Sequence, residues 1–197
     1  MSLDHAILGF LNYVPLTGYD LKKVFDSSVR HFWYADQSQI YRTLSRLTEK
    51  NYVEMELVEQ TERPDRKVYH ITQTGKEELK KWLKGPIPME NPRSAPLVQV
   101  FFSGQLEDAH SLEYFRHAAQ MIHGILAIYA EVPDILQNRI MKEVPGIEKL
   151  DQREKFFWLL TLESGIINMR STLEWMESVI ERLEKKDYTN RLELEKK

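Results

Sequence analysis

Residues Asp36 to Val53, DQSQIYRTLSRLTEKNYV, decide how the chain is read. Asp36 is a good helix N-cap, and Gln39 stands at the third helical position, where its amide can bond back to the cap. Ile40, Leu44 and Leu47 then recur at helical spacing and make one apolar stripe. Asn51 follows, a residue that tolerates the left-handed conformation closing many helices. The opposite side carries Gln39, Arg42 and Arg46 at a 3–4 spacing, with Ser38, Ser45 and Lys50 beside them. Arginine can bond guanine through two hydrogen bonds, glutamine can bond adenine, and all these types can contact phosphate. By itself such a face is more often simply solvated, so its meaning depends on what surrounds it.

Upstream, Ser2 to Tyr13 reads as a helix with Leu3, Ile7, Phe10, Leu11 and Val14 inward, stopped by Pro15. Thr17 caps a second helix, TGYDLKKVFDSSV, with Asp20 three residues later. Downstream the period changes to two. YVEMELVEQ alternates and reads as a half-buried strand, TERPDR is rich in turn residues, and KVYHIT alternates again. The pair is a hairpin whose tip carries Arg63, Arg66 and Lys67. Thr74 and Glu77 suggest a capping box for a fourth helix that stops at Gly85-Pro86. Three helices, a basic hairpin and a fourth helix are the element order of a winged helix-turn-helix. Helices read the major groove of DNA, and basic arms reach the minor groove or the backbone.

Pro86, Pro88, Pro92 and Pro96 mark a linker. Beyond it, one helical segment carries Leu112, Phe115, Ala119, Ile122, Leu126 and Tyr129. A second carries Leu162, Ile166, Met169, Leu173, Met176, Ile180 and Leu183. Both are heptad-like seams. The second has a further apolar side (Phe156, Leu160, Ile167), more than one neighbouring helix covers, so self-association is expected. The fold class is therefore mainly α with a small β-hairpin. An N-terminal winged helix occupies 1–85, linker and the start of the next domain 86–104, and a helical dimerisation domain 105–190.

Composition narrows the function. The 197 residues are 42% hydrophobic and 29% charged, ordinary for a globular protein. The net charge of −3 is uneven: residues 1–85 hold 13 Lys+Arg against 12 Asp+Glu, and residues 86–197 hold 14 against 18. DNA binding must then rest on local clustering of cations. No cysteine is present, which excludes disulfides and thiolate chemistry and fits a reducing cytoplasm. The N-terminus lacks the basic region and cleavage site of a signal peptide, and no run approaches the ~18 apolar residues of a membrane span. His110, His117 and His123 do not have the i, i+4 spacing that zinc favours. Neither a phosphate loop, a nucleophile elbow nor a carboxylate dyad is found, so no catalytic residue, metal or cofactor is assigned.

IYRTLSRLTEKNYV followed by DRKVYHITQTGKEEL resembles the winged-helix domain of the PadR family of bacterial transcriptional regulators. SLDHAILGFLNYVPLTGYDLKKVF is similar to the family's first two helices, and NPRSAPLVQVFFSGQL to the start of the C-terminal domain in its longer subgroup. The resemblance spans nearly the whole chain. Arg42 departs from it, standing where proline is frequent, and Asn51 stands where glycine is frequent.

The resemblance implies a homodimer on a palindromic double-stranded DNA operator, usually a repressor. It places Ser38, Gln39, Tyr41, Arg42, Ser45 and Arg46 near DNA, Tyr19 at a phosphate, and Arg63, Arg66 and Lys67 on the wing. The dimer would be built by Leu112, Phe115, Ile122, Leu162, Ile166, Met169, Leu173, Met176 and Ile180. Members of the family bind planar aromatic effectors, for which Trp33, Phe101 and Trp158 are candidates; core packing is the competing reading of these three. The alternative function is a winged-helix protein–protein module that has lost DNA binding, a reading that the acids Glu54, Glu56 and Glu59 keep open.

Overall fold

The computed structural model describes residues 2–30, 32–59, 65–86, 93–130 and 150–189. They form two compact units. The first comprises residues 1–88 and 132–161, the second residues 89–131 and 162–197.

In the first unit, helix α1 (Ser2–Tyr13) is followed by a two-residue strand β1 (Leu16–Thr17), helix α2 (Gly18–Ser27) and helix α3 (Gln37–Glu49). Strands β2 (Val53–Val58) and β3 (Arg66–Ile71) and helix α4 (Gln73–Leu83) complete it. Strand β3 is central in an antiparallel sheet of order β1-β3-β2. Its register sets Val53 opposite Ile71 and Val58 opposite Arg66 on one side, and Leu16 opposite Tyr69 on the other. The hairpin is thus the expected one, but β1 adds a third strand too short for any periodicity to reveal.

The helix boundaries follow from their caps. Thr17 and Asp36 both make complete capping boxes. The Asp36 carboxylate accepts from the Gln39 N–H (2.8 Å), and the Asp36 N–H donates to the Gln39 side-chain oxygen (2.9 Å). At the other end of α3, Asn51 has φ +56°. The Asn51 N–H donates to the Thr48 carbonyl (2.9 Å) and the Tyr52 N–H to the Leu47 carbonyl (2.9 Å), so the orphan carbonyls of the last turn are satisfied.

Helix α4 departs from expectation. Its N-cap is Thr72, whose hydroxyl accepts from the Gly75 N–H (3.0 Å); the hydroxyls of Thr72 and Thr74 both donate to the Asn51 carbonyl (2.7 Å each). Gly75 fits only because it has no side chain. A Cβ there would stand 2.1 Å from the Tyr52 carbonyl oxygen and 2.9 Å from Ile71 Cγ1. Strand β2 also differs from the half-buried strand expected: Val53 is buried, and every later residue is exposed.

The core of this unit gathers Ile7, Leu8 and Leu11 of α1, Leu21, Val24 and Phe25 of α2, Ile40, Leu44 and Leu47 of α3, and Val53. Full burial of such a side chain contributes roughly 1.5–3 kcal/mol. The apolar stripe of α3 is therefore what fixes that helix and leaves its other side outward. Leu150 joins the same core, and Trp158 packs edge-on against Phe10 (6.1 Å) and Tyr13 (5.9 Å).

The second unit contains helix α5 (Ala95–Phe102), a 3-10 turn (Ser103–Gln105), helix α6 (Asp108–Ala130) and the part of helix α7 (Gln152–Glu184) from Leu162 onward. Phe115 and Ala119 pack with Leu173 and Met176, joined by Ile122, Leu126, Ile180 and Leu183. The two heptad seams thus meet each other within one chain. The Arg116–Glu184 ion pair (2.6 Å) and the Tyr188 hydroxyl bond to Asp108 (2.7 Å) flank that contact. Among the described residues, no helix is long and apolar enough to cross a membrane.

Candidate nucleic-acid interface

With Ile40, Thr43, Leu44 and Leu47 buried, the residues of α3 turned away from the core are Ser38, Arg42, Ser45 and Glu49, with Tyr41 on one flank and Gln39 and Arg46 on the other. All seven are exposed. Their side chains are not equally free.

Gln39 closes the capping box. The Ser38 hydroxyl donates to the Asp36 carboxylate (2.6 Å), and that bond, ahead of the Gln39 N–H, holds the Asp36 carboxyl below the usual range. The Ser45 hydroxyl donates to the Tyr41 carbonyl (3.2 Å). Arg46 reaches across to α1. Its Nε donates to Asp4 Oδ2 (3.3 Å) and its Nη2 bonds Asp4 Oδ1. The Asp4 side chain is only 7% exposed, that of Arg46 47%. This two-point ion pair fastens α3 to α1. Among the described residues, Arg42 makes only long contacts, from Nε to the Ser38 carbonyl (3.4 Å) and from Nη2 to the Ser38 hydroxyl (3.5 Å).

Tyr41 lies against the start of α2. A Cβ on Gly18 would stand 2.5 Å from its ring, so glycine lets the two helices approach there. Tyr19, 58% exposed, has the Lys23 ammonium 5.0 Å from its ring centre. Tyr34 is exposed as well, with the Lys22 ammonium 5.8 Å from its ring. Tyrosine hydroxyls and ammonium groups on one side of α2 are types that contact phosphate.

At the loop end of the hairpin, Arg66 bonds the Asp20 carboxylate (3.3 Å), which also accepts from the Thr17 hydroxyl (2.7 Å). The first turn of α2 therefore orients the wing. Lys67 is exposed, while Arg63 lies outside the described residues. Tyr69 is buried (8% exposed), and burial pushes its hydroxyl pKa up, with the Tyr41 hydroxyl adding to the shift.

The remaining candidate residues separate into two groups. Trp33 and Trp158 pack on the core of the first unit, and the Trp158 side chain hydrogen-bonds Tyr13. Phe101 belongs to the second unit, 80% exposed and edge-on to Phe102 (5.0 Å). Of the residues assigned to a dimer, Phe115, Leu162, Leu173 and Met176 are buried within the chain. Leu112, Ile122, Ile166, Met169 and Ile180 are half-buried. The large apolar residues left exposed include Met121 and Ile128 on α6 and Ile167 on α7, none of them in the seam.

A family model described as the transcriptional regulator PadR-like family matches residues 7–81, and one described as virulence activator alpha C-term matches residues 92–184. The probable transcriptional regulator Rv1176c of Mycobacterium tuberculosis is 32% identical, over 94% of this chain and 100% of its own. The chain belongs to the PadR-like family of transcriptional regulators. The negative transcriptional regulator PadR of Bacillus subtilis is 28% identical, over 93% of this chain and 98% of its own. Two crystal structures of B. subtilis PadR share the fold. The one in complex with operator DNA superposes with a TM-score of 0.79 at 24% identity, covering 93% of this chain and 99% of that one. The one in complex with p-coumaric acid gives 0.71 at 24% identity, covering 92% and 95%.

Within this PadR-like winged helix, sequence reasoning missed three residues. Asp4 is 42 positions from Arg46, and nothing local marks the pair. Gly18 is visible as a glycine at the start of a capped helix, but not what approaches it. Asp20 reads as a cap, and its second bond, to Arg66, emerges only from the strand register.

Proposed function

We propose that the protein is a homodimeric, cytoplasmic DNA-binding regulator, a repressor, that holds a palindromic operator with α3 and the wing and is released by a small aromatic effector. The observation that carries this reading is the mounting of α3. Its apolar stripe is completely buried, and its outward face presents Ser38, Arg42 and Ser45 on the same packed unit as Tyr19, Arg66 and Lys67. Two basic features fixed to one core can meet a groove and the flanking phosphates together. The B. subtilis relative with its operator and with p-coumaric acid supports both ligand classes. Residues 1–85 would bind DNA, 86–104 link, and 105–190 dimerise through α6 and α7. Exposed Phe101, and Trp33 and Trp158 at the edge of their core, would meet the effector.

The test is a gel shift on DNA from around the protein's own gene, repeated at rising salt. Affinity should fall steeply, because bound phosphates release counterions. Arg42→Ala should weaken binding far more than Arg182→Ala on α7. Absence of salt-sensitive binding, with negative potential over α3, would instead favour the protein–protein module.

A further inference from the structure

The seven outward residues of α3 differ in what their side chains are already doing, and that difference assigns roles within the proposed DNA interface. At about 100° per residue, the buried residues Ile40, Thr43, Leu44 and Leu47 centre on one side of the helix, and Ser38, Arg42, Ser45 and Glu49 lie opposite. Arg42 stands in the middle of that line. Gln39 and Arg46 lie on the flank, each turned toward a partner within the fold. The Gln39 amide oxygen is engaged by the Asp36 N–H at 2.9 Å. The Arg46 guanidinium is held by both oxygens of the buried Asp4. Drawing Arg46 away to bond a base would strand a carboxylate that is 7% exposed. A buried charge left without its partner is expensive, so the fold opposes that movement.

Among the described residues, Arg42 has no such tether. Its contacts to Ser38 are 3.4 and 3.5 Å, at the long limit of hydrogen bonding, and both partners are exposed. Its planar guanidinium keeps the paired donors that match guanine O6 and N7. Ser38 and Ser45, one turn to either side, have their hydroxyl protons directed to Asp36 and to the Tyr41 carbonyl, so toward DNA they offer acceptors rather than donors. Glu49, at the C-terminal end of the same line, carries the wrong charge for phosphate. The N-terminal half of α3 is therefore the half that suits the groove.

Resting on the DNA-binding reading, we propose that Arg42 is the specificity-determining residue of α3, reading one guanine in each half-site, while Arg46 is a structural brace set by Asp4 and reads no base.

The full-length protein, its Arg42→Ala variant and its Arg46→Lys variant are each used to select binding sites from randomised duplexes. Affinities are then measured on the selected site and on variants with each base pair replaced in turn. Lysine at position 46 can still pair with Asp4 but has lost the planar fork. The expected result is a guanine at one fixed position of each half-site for the wild type. Arg42→Ala should lose roughly 10- to 100-fold of discrimination at that position, the worth of one bidentate pair, and keep salt-sensitive binding elsewhere. Arg46→Lys should select the wild-type sequence. The assignment is overturned if Arg42→Ala selects the same site as the wild type, or if Arg46→Lys loses the guanine. A wild-type protein that enriches no sequence and shows no salt-sensitive binding overturns the DNA reading itself, a result distinct from either.

Discussion

Removing Arg46 tests how α1 is fastened to α3. The pair is asymmetric, with the Asp4 side chain 7% exposed and that of Arg46 47%. Cutting it from the arginine side leaves a carboxylate that water reaches poorly. Cutting it from the acid side leaves a guanidinium half in water, which rehydrates. Loss of one partner from a fully buried pair costs about 3–5 kcal/mol. Exposed pairs contribute only about 0.2–1 kcal/mol. The half-exposed arginine sets Arg46→Ala between these limits, at about 2–3 kcal/mol, and Asp4→Asn near 1 kcal/mol. Asp4 stands in the first turn of α1, where the helix dipole favours a negative charge by about 0.3–1 kcal/mol and keeps the loss below the upper limit. For a chain of this length, Arg46→Ala should lower Tm by roughly 5–10 °C. Urea unfolding of Asp4→Asn, Arg46→Ala and the double variant, followed by circular dichroism, gives the coupling energy. It should reach about 1.5 kcal/mol or more, as for groups in direct contact. An Asp4→Asn variant less stable than Arg46→Ala, or a coupling below about 0.5 kcal/mol, refutes the brace.

Gly75→Ala should cost about 2–3 kcal/mol in urea unfolding, because its Cβ would meet the Tyr52 backbone carbonyl, which cannot rotate away; a change under about 0.5 kcal/mol counts against this packing. Thr72→Ala should lower stability by about 1 kcal/mol and by more than Thr74→Ala, since only Thr72 accepts the Gly75 N–H; the reverse order returns the cap to Thr74. Burial raises the hydroxyl pKa values of Tyr13 and Tyr69. The unfolded chain thus ionises first, near pH 10, so their contribution is intact below that pH and is lost as pH rises through the folded values. Denaturation midpoints should fall between about pH 9 and 11, and Tyr69→Phe should flatten that fall; an unchanged slope assigns it to other groups.

Elements governed by local rules were legible in the sequence. The capping boxes at Thr17 and Asp36, the left-handed Asn51 and the α3 stripe each follow from residues within a few positions of one another. Where two residues satisfy one pattern, tertiary contact decides. Thr72 and Thr74 both suit a cap and both donate to the Asn51 carbonyl, but it is the Thr72 hydroxyl that accepts from a helix N–H. Strand β1 has too few residues to alternate. In β2, Met55 and Leu57 alternate correctly, yet both are exposed. Alternation reports the side of a sheet, not whether that side is covered. The charge pattern of α3 is visible, but which of its arginines is already engaged depends on Asp4. In the helical half the heptad spacing marks two covered stripes, and Phe115, Leu173 and Met176 meet within one chain; a heptad records that a stripe is covered and not by how many partners.

Thr17 occupies three roles at once. Its backbone pairs with Val68 in β3, its hydroxyl caps α2, and through Asp20 it shares a carboxylate with Arg66 at the loop end of the hairpin. The hairpin is consequently not an interchangeable part. A chimera that imports the wing of a relative would have to import residues 16–20 with it, although the two segments are distant in sequence, or the new wing would lose its fastening to α2. Exchange of α3 alone meets a similar condition, since Asp4 must travel with position 46. For grafting, the natural unit is this set of distant contacts rather than any continuous stretch of chain.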